Sequence, residues 1–336
     1  MLSRLMDLWT LTDLATPWCV LVAVTLRVAE QLVAGPRDID DLAAAVGADA
    51  DALGRVLRHL TGAGVFEEPT PGRFAINDAA RMLLEPPARF GLDLDGFGGR
   101  MAYAWSTMLA AVRTGRPAYD TLFGRPFWED LEANPAIAAD FDALMGPGHG
   151  TPDPEVLPNG DWGSIGTVVD VGGGAGHLLA AILRAHPRAR GTLVDLPRTV
   201  ERAREVFEAA GVADRAKTAG QSFFDPVPAG ADLYVAKSVI SDWPDRDAST
   251  ILRRLAEAAR PAGRVVIVSG VTLDADRAGP ALLMLVLVGG RDRTLAEFRA
   301  LASDAGFDVV ATGRQAGGRT LVECRPSLPL PKPTRT

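Results

Sequence analysis

A strand, a glycine-rich turn and the start of a helix follow one another in residues 168–177, which read Val-Val-Asp-Val-Gly-Gly-Gly-Ala-Gly-His. Glycines let the backbone come close to a bound ligand, and the first turn of the next helix offers N–H groups that have no partner within the helix. This feature constrains the fold more than any other, because it is typical of open α/β sheets that bind ligands beyond the carboxyl ends of their strands.

Strand and helix patterns alternate from residue 166 onwards. Strands are predicted over residues 167–171, 191–195, 231–237, 263–269, 307–312 and 319–324, and helices over residues 177–185, 200–210, 248–259 and 295–305. Since strand–helix–strand units place their strands parallel and side by side, the prediction is an α/β fold with an open, mostly parallel, doubly wound sheet of the Rossmann-like type.

Residues 1–100 have a different pattern, with short helices and no long strand. A helix over 38–47 precedes a second helix whose apolar residues recur with helical spacing over 53–60, and a hairpin follows over 64–76. This order is typical of a winged helix, which binds DNA or packs against a protein partner. The formal net charge of −7, with Asp49 and Asp51 beside the second helix, argues against DNA.

The 336 residues therefore divide into four predicted parts. A winged-helix-like domain covers 1–100, a helical connector 101–160, the α/β domain 161–326, and a loose tail 327–336. Cys19 and Cys324 lie near opposite ends of the chain, which excludes a disulfide framework and a CxxC metal site. The apolar run Ala15–Leu26 is too short to span a bilayer. We expect a cytoplasmic protein without a metal, a membrane partner or a nucleic-acid partner.

The charges around the glycine turn select the type of ligand. Residue 177 is a histidine where the pyrophosphate-binding pattern GxGxxG has its last glycine. Asp170, just before the turn, would repel a pyrophosphate but attract a cation, and Asp195 at the end of the next strand can accept ribose hydroxyls. The glycines fall in a GxGxG pattern at Gly172, Gly174 and Gly176. These features favour S-adenosylmethionine (SAM) over a dinucleotide.

Five motifs in the same order and spacing resemble the caffeate-type class I O-methyltransferases, a family that includes bacterial enzymes tailoring aromatic polyketides. The motifs cover residues 170–176, 195–197, 221–228, 237–245 and 289–298, and residues 113–129 and the N-terminal half also match. The resemblance therefore spans nearly the whole chain. It implies a SAM-binding domain and an N-terminal domain that forms a homodimer, with an apolar helix over 14–32 at the centre of the interface.

The resemblance also implies a cofactor site. The glycine turn would border the methionine part of SAM, Asp195 would hold the ribose, and Trp243 would pack on the adenine. An acid is common in the family where Ser222 stands. The full predicted set is Asp170, Gly172, Gly174, Gly176, Asp195, Leu196, Ser222, Phe223, Lys237, Ser238 and Trp243.

The reacting site departs from the family at two positions. Ser241 stands where the family has its general base, a histidine, and a serine hydroxyl is too weak a base to deprotonate a phenol. Ala281 stands where many relatives have an aspartate, whereas Asp292 matches a glutamate in many relatives. His149 is the candidate for a relocated base, although a solvated loop histidine is the simpler interpretation. The predicted catalytic set is Ser241, His149 and Asp292.

Three interpretations of the missing histidine stay open. Methyl transfer could rely on proximity to an acceptor that ionises easily, or another residue could serve as the base. Alternatively, the fold could be repurposed for hydroxylation, decarboxylation or cyclisation with SAM bound. A SAM-responsive regulator would need a basic recognition helix, which the sequence does not show. We therefore predict a SAM-dependent O-methyltransferase of secondary metabolism.

Apolar and polarisable side chains, mostly in residues 100–160, are predicted to line the acceptor pocket, although a plain interdomain core would use the same residues. The set is Trp105, Met108, Phe127, Trp128, Phe141, Met145 and Met284. Such a lining suits a flat aromatic acceptor that carries a hydroxyl or carboxyl group.

Overall fold

The computed structural model describes residues 8–145, 153–274 and 278–327. Two compact units make up the chain. The first comprises residues 1–106 and 133–148, and the second comprises residues 107–132 and 149–336.

The elements up to residue 145 are short helices and three short strands. They are α1 (Leu8–Leu11), α2 (Ala15–Thr25), α3 (Val28–Gln31), β1 (Arg37–Asp38), α4 (Ile39–Val46), α5 (Ala50–Gly62), β2 (Phe66–Thr70), β3 (Arg73–Ile76), α6 (Asp78–Arg81), α7 (Pro86–Leu92), α8 (Phe97–Ala104), α9 (Met108–Thr114), α10 (Asp120–Phe123), α11 (Phe127–Ala133) and α12 (Pro135–Met145). The three strands form an antiparallel sheet in the order β1-β3-β2.

The first unit contains the two predicted helices, as α4 and α5, and the predicted hairpin, as β2 and β3, whereas strand β1 was not predicted. Asp49 caps α5 by accepting a hydrogen bond from the Ala52 backbone N–H (2.8 Å), and the helix buries Leu53, Leu57 and Leu60. Side-chain oxygens at this position stabilise helix starts because the first N–H groups have no partner within the helix.

The predicted continuous helix over 14–32 is wrong. Helix α2 ends at Thr25, and α3 begins at Val28. Arg27 between them has φ 58°, in the left-handed region that a helix interior does not contain, and its Nε pairs with Glu30 Oε1 at 2.7 Å. The apolar pattern predicted burial at this segment but did not reveal the break.

The stretch predicted as one connector, 101–160, is divided between the two units. Helix α12 packs on α7 and α8 of the first unit, where the Phe141 ring meets Phe97 edge-on with centroids 5.2 Å apart. Residues 107–132 belong to the second unit. Helices that are adjacent in sequence thus have different packing partners, which a local pattern does not specify.

The second unit contains the α/β elements. They are β4 (Thr167–Val171), α13 (His177–Ala185), β5 (Arg190–Asp195), α14 (Pro197–Glu201), α15 (Ala203–Ala209), β6 (Ala216–Gly220), β7 (Leu233–Lys237), α16 (Asp245–Ala259), β8 (Arg264–Val268), β9 (Val271–Thr272), α17 (Leu282–Leu287), β10 (Arg293–Thr294), α18 (Leu295–Asp304), β11 (Phe307–Arg314) and β12 (Thr320–Pro326). Helix α9 packs on α17 within this unit.

The main sheet has seven strands in the order β11-β12-β8-β7-β4-β5-β6. Strands β4 to β8 run parallel, and β12 pairs antiparallel with both β8 and β11. The predicted doubly wound sheet is confirmed. The chain order reverses at β4, which pairs with β5 on one side and β7 on the other, and a ligand crevice forms at the carboxyl ends of strands at such a point.

The short strands β9 and β10 pair in parallel, with Arg293 opposite Val271. This pairing joins the segment that follows β8 to the segment that follows α17. At the other end of the chain, the Ser327 N–H donates to the Gly306 carbonyl (2.8 Å). Residues 328–336, most of the predicted tail, lie outside the described residues. In the described part of the chain, no helix is both long and apolar enough to cross a membrane.

Candidate active site

The glycine turn joins β4 to α13 and lies at the point where the chain order of the sheet reverses. Gly172, Gly174 and Gly176 have φ values of 68°, 61° and 84°, a left-handed backbone that favours glycine. The Gly172 N–H donates to the Val194 carbonyl (2.8 Å), which ties the turn to β5. A Cβ built on Gly174 would meet nothing within 4 Å, so the turn presents bare backbone to open space at this position.

Asp195 lies at the carboxyl end of β5 and braces the same turn. Its Oδ2 accepts from the Gly174 N–H and its Oδ1 from the Leu196 N–H, both at 2.8 Å. Burial raises the pKa of Asp195, and these two hydrogen bonds oppose the rise. Each carboxylate oxygen has a further lone pair, so Asp195 can hold the turn and still accept hydrogen bonds from a ribose.

Asp170 lies beneath the turn, fully buried, and neither oxygen has a hydrogen-bond partner among the described residues. Burial raises the pKa of Asp170 to about 7, Lys237 opposes the rise, and Asp195 adds to it. The Leu179 backbone N–H also lowers the pKa of Asp170, although the two groups do not have the geometry of a hydrogen bond. A Cβ on Gly173 would overlap the Asp170 carboxyl group, so this carboxyl group lies directly against the glycine turn.

Lys237 and Ser238 follow at the end of β7. Burial lowers the pKa of Lys237, the positive charge of Arg319 lowers it further, and Asp170 opposes both. Ser238 is exposed, with φ 57°, and its N–H donates to the Val268 carbonyl (2.8 Å). Lys237 and the buried Asp170 are therefore close enough for each charge to affect the pKa of the other.

Aromatic rings form a wall beside the turn. Phe223 and Phe224 both meet Trp243 edge-on, with ring centroids 6.0 and 4.8 Å from it. Trp128 stacks on Trp243 at 6.4 Å. The Ser222 hydroxyl accepts from the Phe224 N–H (3.2 Å), so it shapes the loop that carries these rings. The wall gives a flat heterocycle an apolar surface to pack on.

A short 3-10 turn covers Ile240–Asp242, and Trp243 follows it; we call residues 240–243 the reacting turn. Ser241 in this turn stands at the position of the family's general base. Ser241 is 9% exposed, and its Cβ lies 2.8 Å from where a Gly270 side chain would begin. The backbone of Gly290 lies directly against the Ser241–Asp242 peptide, where a side chain would overlap it. Two glycines from other loops thus enclose the reacting turn.

Asp242, which the sequence analysis did not single out, is the titratable group of the reacting turn. Burial raises its pKa to about 7, and the charge of Asp292 adds to the rise. The structure thus brings the predicted Asp292 close to this turn. The available signal was an acidic residue next to Ser241 in the motif, but its partner lies 50 residues further along the chain.

The remaining predicted residues are distributed over both units. His149 lies outside the described residues. Of the predicted acceptor lining, Met108, Phe127, Trp128 and Met284 belong to the second unit, and Trp105, Phe141 and Met145 belong to the first. Phe127 is only 4% exposed and packs edge-on against Tyr119 and Trp128, whereas Trp105 and Met145 are exposed. No group of three or more potential metal ligands occurs within the residues that the structure covers.

Comparison with known proteins gives two family matches that together cover most of the chain. Residues 105–308 match the O-methyltransferase domain, and residues 3–86 match the O-methyltransferase dimerisation domain.

Individual relatives are similar over nearly their whole length. The chain is 42% identical to 2,7-dihydroxy-5-methyl-1-naphthoate 7-O-methyltransferase of Streptomyces carzinostaticus, over 90% of this chain and 92% of the relative. It is also 42% identical to aclacinomycin 10-hydroxylase RdmB of Streptomyces purpurascens, over 93% of this chain and 86% of the relative. Among solved structures, the O-methyltransferase NcsB1 from neocarzinostatin biosynthesis, in complex with SAM and 2-hydroxy-5-methyl naphthoic acid, superposes with a TM-score of 0.88 at 39% identity, over 96% of this chain and 100% of that one.

Proposed function

The chain belongs to the O-methyltransferase family with an N-terminal dimerisation domain, it is a SAM-dependent O-methyltransferase, and from this premise we propose that it methylates a hydroxyl or carboxyl group on a flat aromatic molecule of secondary metabolism. We further propose that it works as a homodimer in the cytoplasm. The acceptor class is supported by two similar proteins, one named for a naphthoate and one crystallised with a naphthoic acid.

The residues at the glycine turn fit SAM. When bound, SAM supplies a methyl group activated by a positively charged sulfur. Asp170, a buried carboxyl without a hydrogen-bond partner among the described residues, favours a cation above it, and Asp195 has lone pairs for the ribose. We assign the adenine to the wall of Phe223 and Trp243. The bare backbone at Gly174 leaves room for the methionine part.

We propose that Ser241 orients the acceptor and that Asp242 receives its proton. Ser241 has no basic nitrogen, so it can contribute one ordinary hydrogen bond. Asp242 shares the reacting turn, and its pKa of about 7 matches that of a base working near neutral pH. Burial is the main cause of that raised pKa, and the negative charge of Asp292 adds to it. The buried reacting turn, with a serine in place of the base and a perturbed carboxyl beside it, supports this proposal most directly.

The test is single-turnover methyl transfer to a panel of hydroxynaphthoates and naphthols, measured as methylated product by mass spectrometry. Wild type should methylate at least one of them. Ser241→Ala should lose about 2- to 13-fold in rate, the value of one hydrogen bond. Asp242→Asn should lose about 10²–10⁴-fold, the usual contribution of a general base. Asp308→Asn, an exposed acid on β11, is the matched control and should keep the wild-type rate.

Two results would overturn this assignment. A loss above about 100-fold for Ser241→Ala would make the hydroxyl more than an orienting group. If Asp242→Asn keeps the wild-type rate, methyl transfer depends either on proximity without a base or on a base elsewhere, such as His149. His149→Ala in the same assay distinguishes these two explanations.

A second candidate is a SAM-bound enzyme that does not transfer methyl. The similarity to a protein named as a hydroxylase and the serine at position 241 favour it. In the same assay this enzyme would bind SAM and yield no S-adenosylhomocysteine (SAH), whereas a methyltransferase yields one SAH per methylated acceptor.

We also propose the domain roles. Residues 1–100 form a winged-helix-type module that makes most of the dimer interface, residues 107–132 of the second unit line the acceptor site, and residues 161–326 bind SAM. The match of residues 3–86 to a dimerisation domain supports the first role. Leu14 and Trp18, at the start of the apolar helix α2, are exposed within one chain, as an interface helix would be.

A further inference from the structure

Arg293, on β10, is the most completely buried arginine in the described chain, at 1% exposure. Its Nη1 donates to the Ile240 carbonyl and its Nη2 to the Trp243 carbonyl, both at 2.8 Å. Its Nε donates to Asp245 Oδ1 (3.0 Å). The guanidinium therefore bridges the first and last carbonyls of the reacting turn and the first residue of α16.

The remaining N–H groups of Arg293 are also engaged. Nη1 donates to the Arg291 carbonyl (3.3 Å), and Nη2 lies 2.9 Å from Asp245 Oδ1. A guanidinium has five N–H groups in a rigid fork; four of them donate these hydrogen bonds, and the nitrogen that carries the fifth lies against Asp245. Burying such a charge is costly unless it is paired and hydrogen-bonded, and here the partners are the reacting turn and Asp245.

An outer layer of ion pairs holds Asp245 in place. Arg291 contacts Asp245 Oδ2 at 3.0 Å and Glu297 Oε1 at 2.8 Å. Glu297 and Thr294 form a capping box at the start of α18. Exposed pairs of this kind each contribute little to stability. Their arrangement links the starts of α16 and α18 to one buried guanidinium.

We propose that Arg293 is a positioning residue of the methyl-transfer site, which fixes the orientation of Ser241 and Asp242 by holding the carbonyls on both sides of them. The inference rests on the proposed function, because it assumes that these two side chains face the acceptor. Arg293 does not touch the acceptor in this scheme; it acts through the backbone of the reacting turn. A lysine cannot replace it, since one ammonium cannot span both carbonyls and the carboxylate.

The test compares Arg293→Lys with a matched control, Arg264→Lys. Arg264 is also buried (4% exposed) and makes two hydrogen bonds of 2.9 Å to Glu323, but it lies at the amino end of β8, away from the crevice. Two readouts are used. Hydrogen exchange of a peptide covering 239–244 reports the reacting turn without requiring turnover, and single-turnover methyl transfer at saturating SAM reports the reaction.

In Arg293→Lys we expect exchange at 239–244 to accelerate at least about tenfold. The methyl-transfer rate should fall about 100-fold, as a misplaced reacting group does, while SAM affinity stays within about threefold. Arg264→Lys should lower the melting temperature but leave both readouts at wild-type values.

Two results would overturn the proposal. One is unchanged exchange at 239–244 in Arg293→Lys. The other is an equal loss of rate in both variants, which would indicate general destabilisation. If wild type binds SAM but methylates nothing, the proposed function fails, and the exchange readout still decides whether Arg293 holds the turn.

Discussion

Replacing Asp170 by asparagine tests the electrostatics of the proposed cofactor site, because the change removes a buried ionisable group and keeps the shape. Burial raises the pKa of Asp170 from 3.8 to about 7. The folded protein therefore holds this proton more tightly than the unfolded chain does. With that sign, Asp170 makes wild type progressively less stable as pH rises from about 4 to about 7, and the loss levels off above pH 7.

The magnitude follows from the two pKa values. Each pKa unit corresponds to about 1.4 kcal/mol, so wild type should lose about 2.5 kcal/mol of unfolding free energy between pH 5 and pH 8 through Asp170 alone. Asp170→Asn lacks this titration. Its stability relative to wild type should therefore rise by about that amount over the same interval, whatever fixed cost the buried amide adds at every pH.

The assay is urea denaturation at pH 5, 6, 7 and 8, at one fixed protein concentration, because the stability of a protein that assembles depends on its concentration. Asp308→Asn, the exposed control, should show no such trend. Asp170→Asn should also weaken binding of SAM more than binding of SAH in calorimetry at pH 8, because SAH lacks the positive sulfur. A stability difference between Asp170→Asn and wild type that does not change with pH would refute the reasoning.

Three further predictions concern the cofactor, the assembly and the proton acceptor. Asp195→Ala should weaken SAM binding by about 1.5–3 kcal/mol in calorimetry, the value of hydrogen bonds to a charged group, and NAD should not stabilise wild type in a thermal shift assay. Light scattering at micromolar concentration should give twice the 35.5 kDa chain mass; a monomer would contradict the homodimer. The wild-type methyl-transfer rate should rise with pH through about 7, as ionisation of Asp242 requires, and Asp242→Asn should give a flat profile; a rise that persists in this variant would assign the titration elsewhere.

The central strands were predictable because each is a short apolar run next to a turn, and their burial in the sheet requires that composition. Strand β4 matches its prediction at both ends. Strand β6 was missed because its sequence Ala-Lys-Thr-Ala-Gly is short and half polar, as an edge strand can be. The predicted helix over 200–210 is divided at Arg202 into α14 and α15, a local break that the apolar pattern does not encode.

The candidate site was predictable where function depends on neighbours in the chain. The glycine turn and Asp195 follow directly from strand ends, and the Gly174–Asp195 hydrogen bond joins them. The interaction of Asp242 with Asp292 and the contact of Arg293 with Ile240 join residues about 50 positions apart. Those contacts depend on how β9 and β10 pair, and no local pattern specifies that pairing.

The two glycines that enclose the reacting turn have a consequence for how this enzyme could be evolved in the laboratory. Gly270 packs against Ser241, and Gly290 packs against the peptide bond that follows Ser241. A larger residue at either site would overlap the reacting turn and displace it. Libraries that randomise positions 270 and 290 should therefore yield mostly inactive clones. Position 241 contributes a side chain to the enclosed turn, so a library there changes the reacting group and leaves the backbone contacts in place. New chemistry is best sought by exchanging residue 241 alone and keeping both glycines.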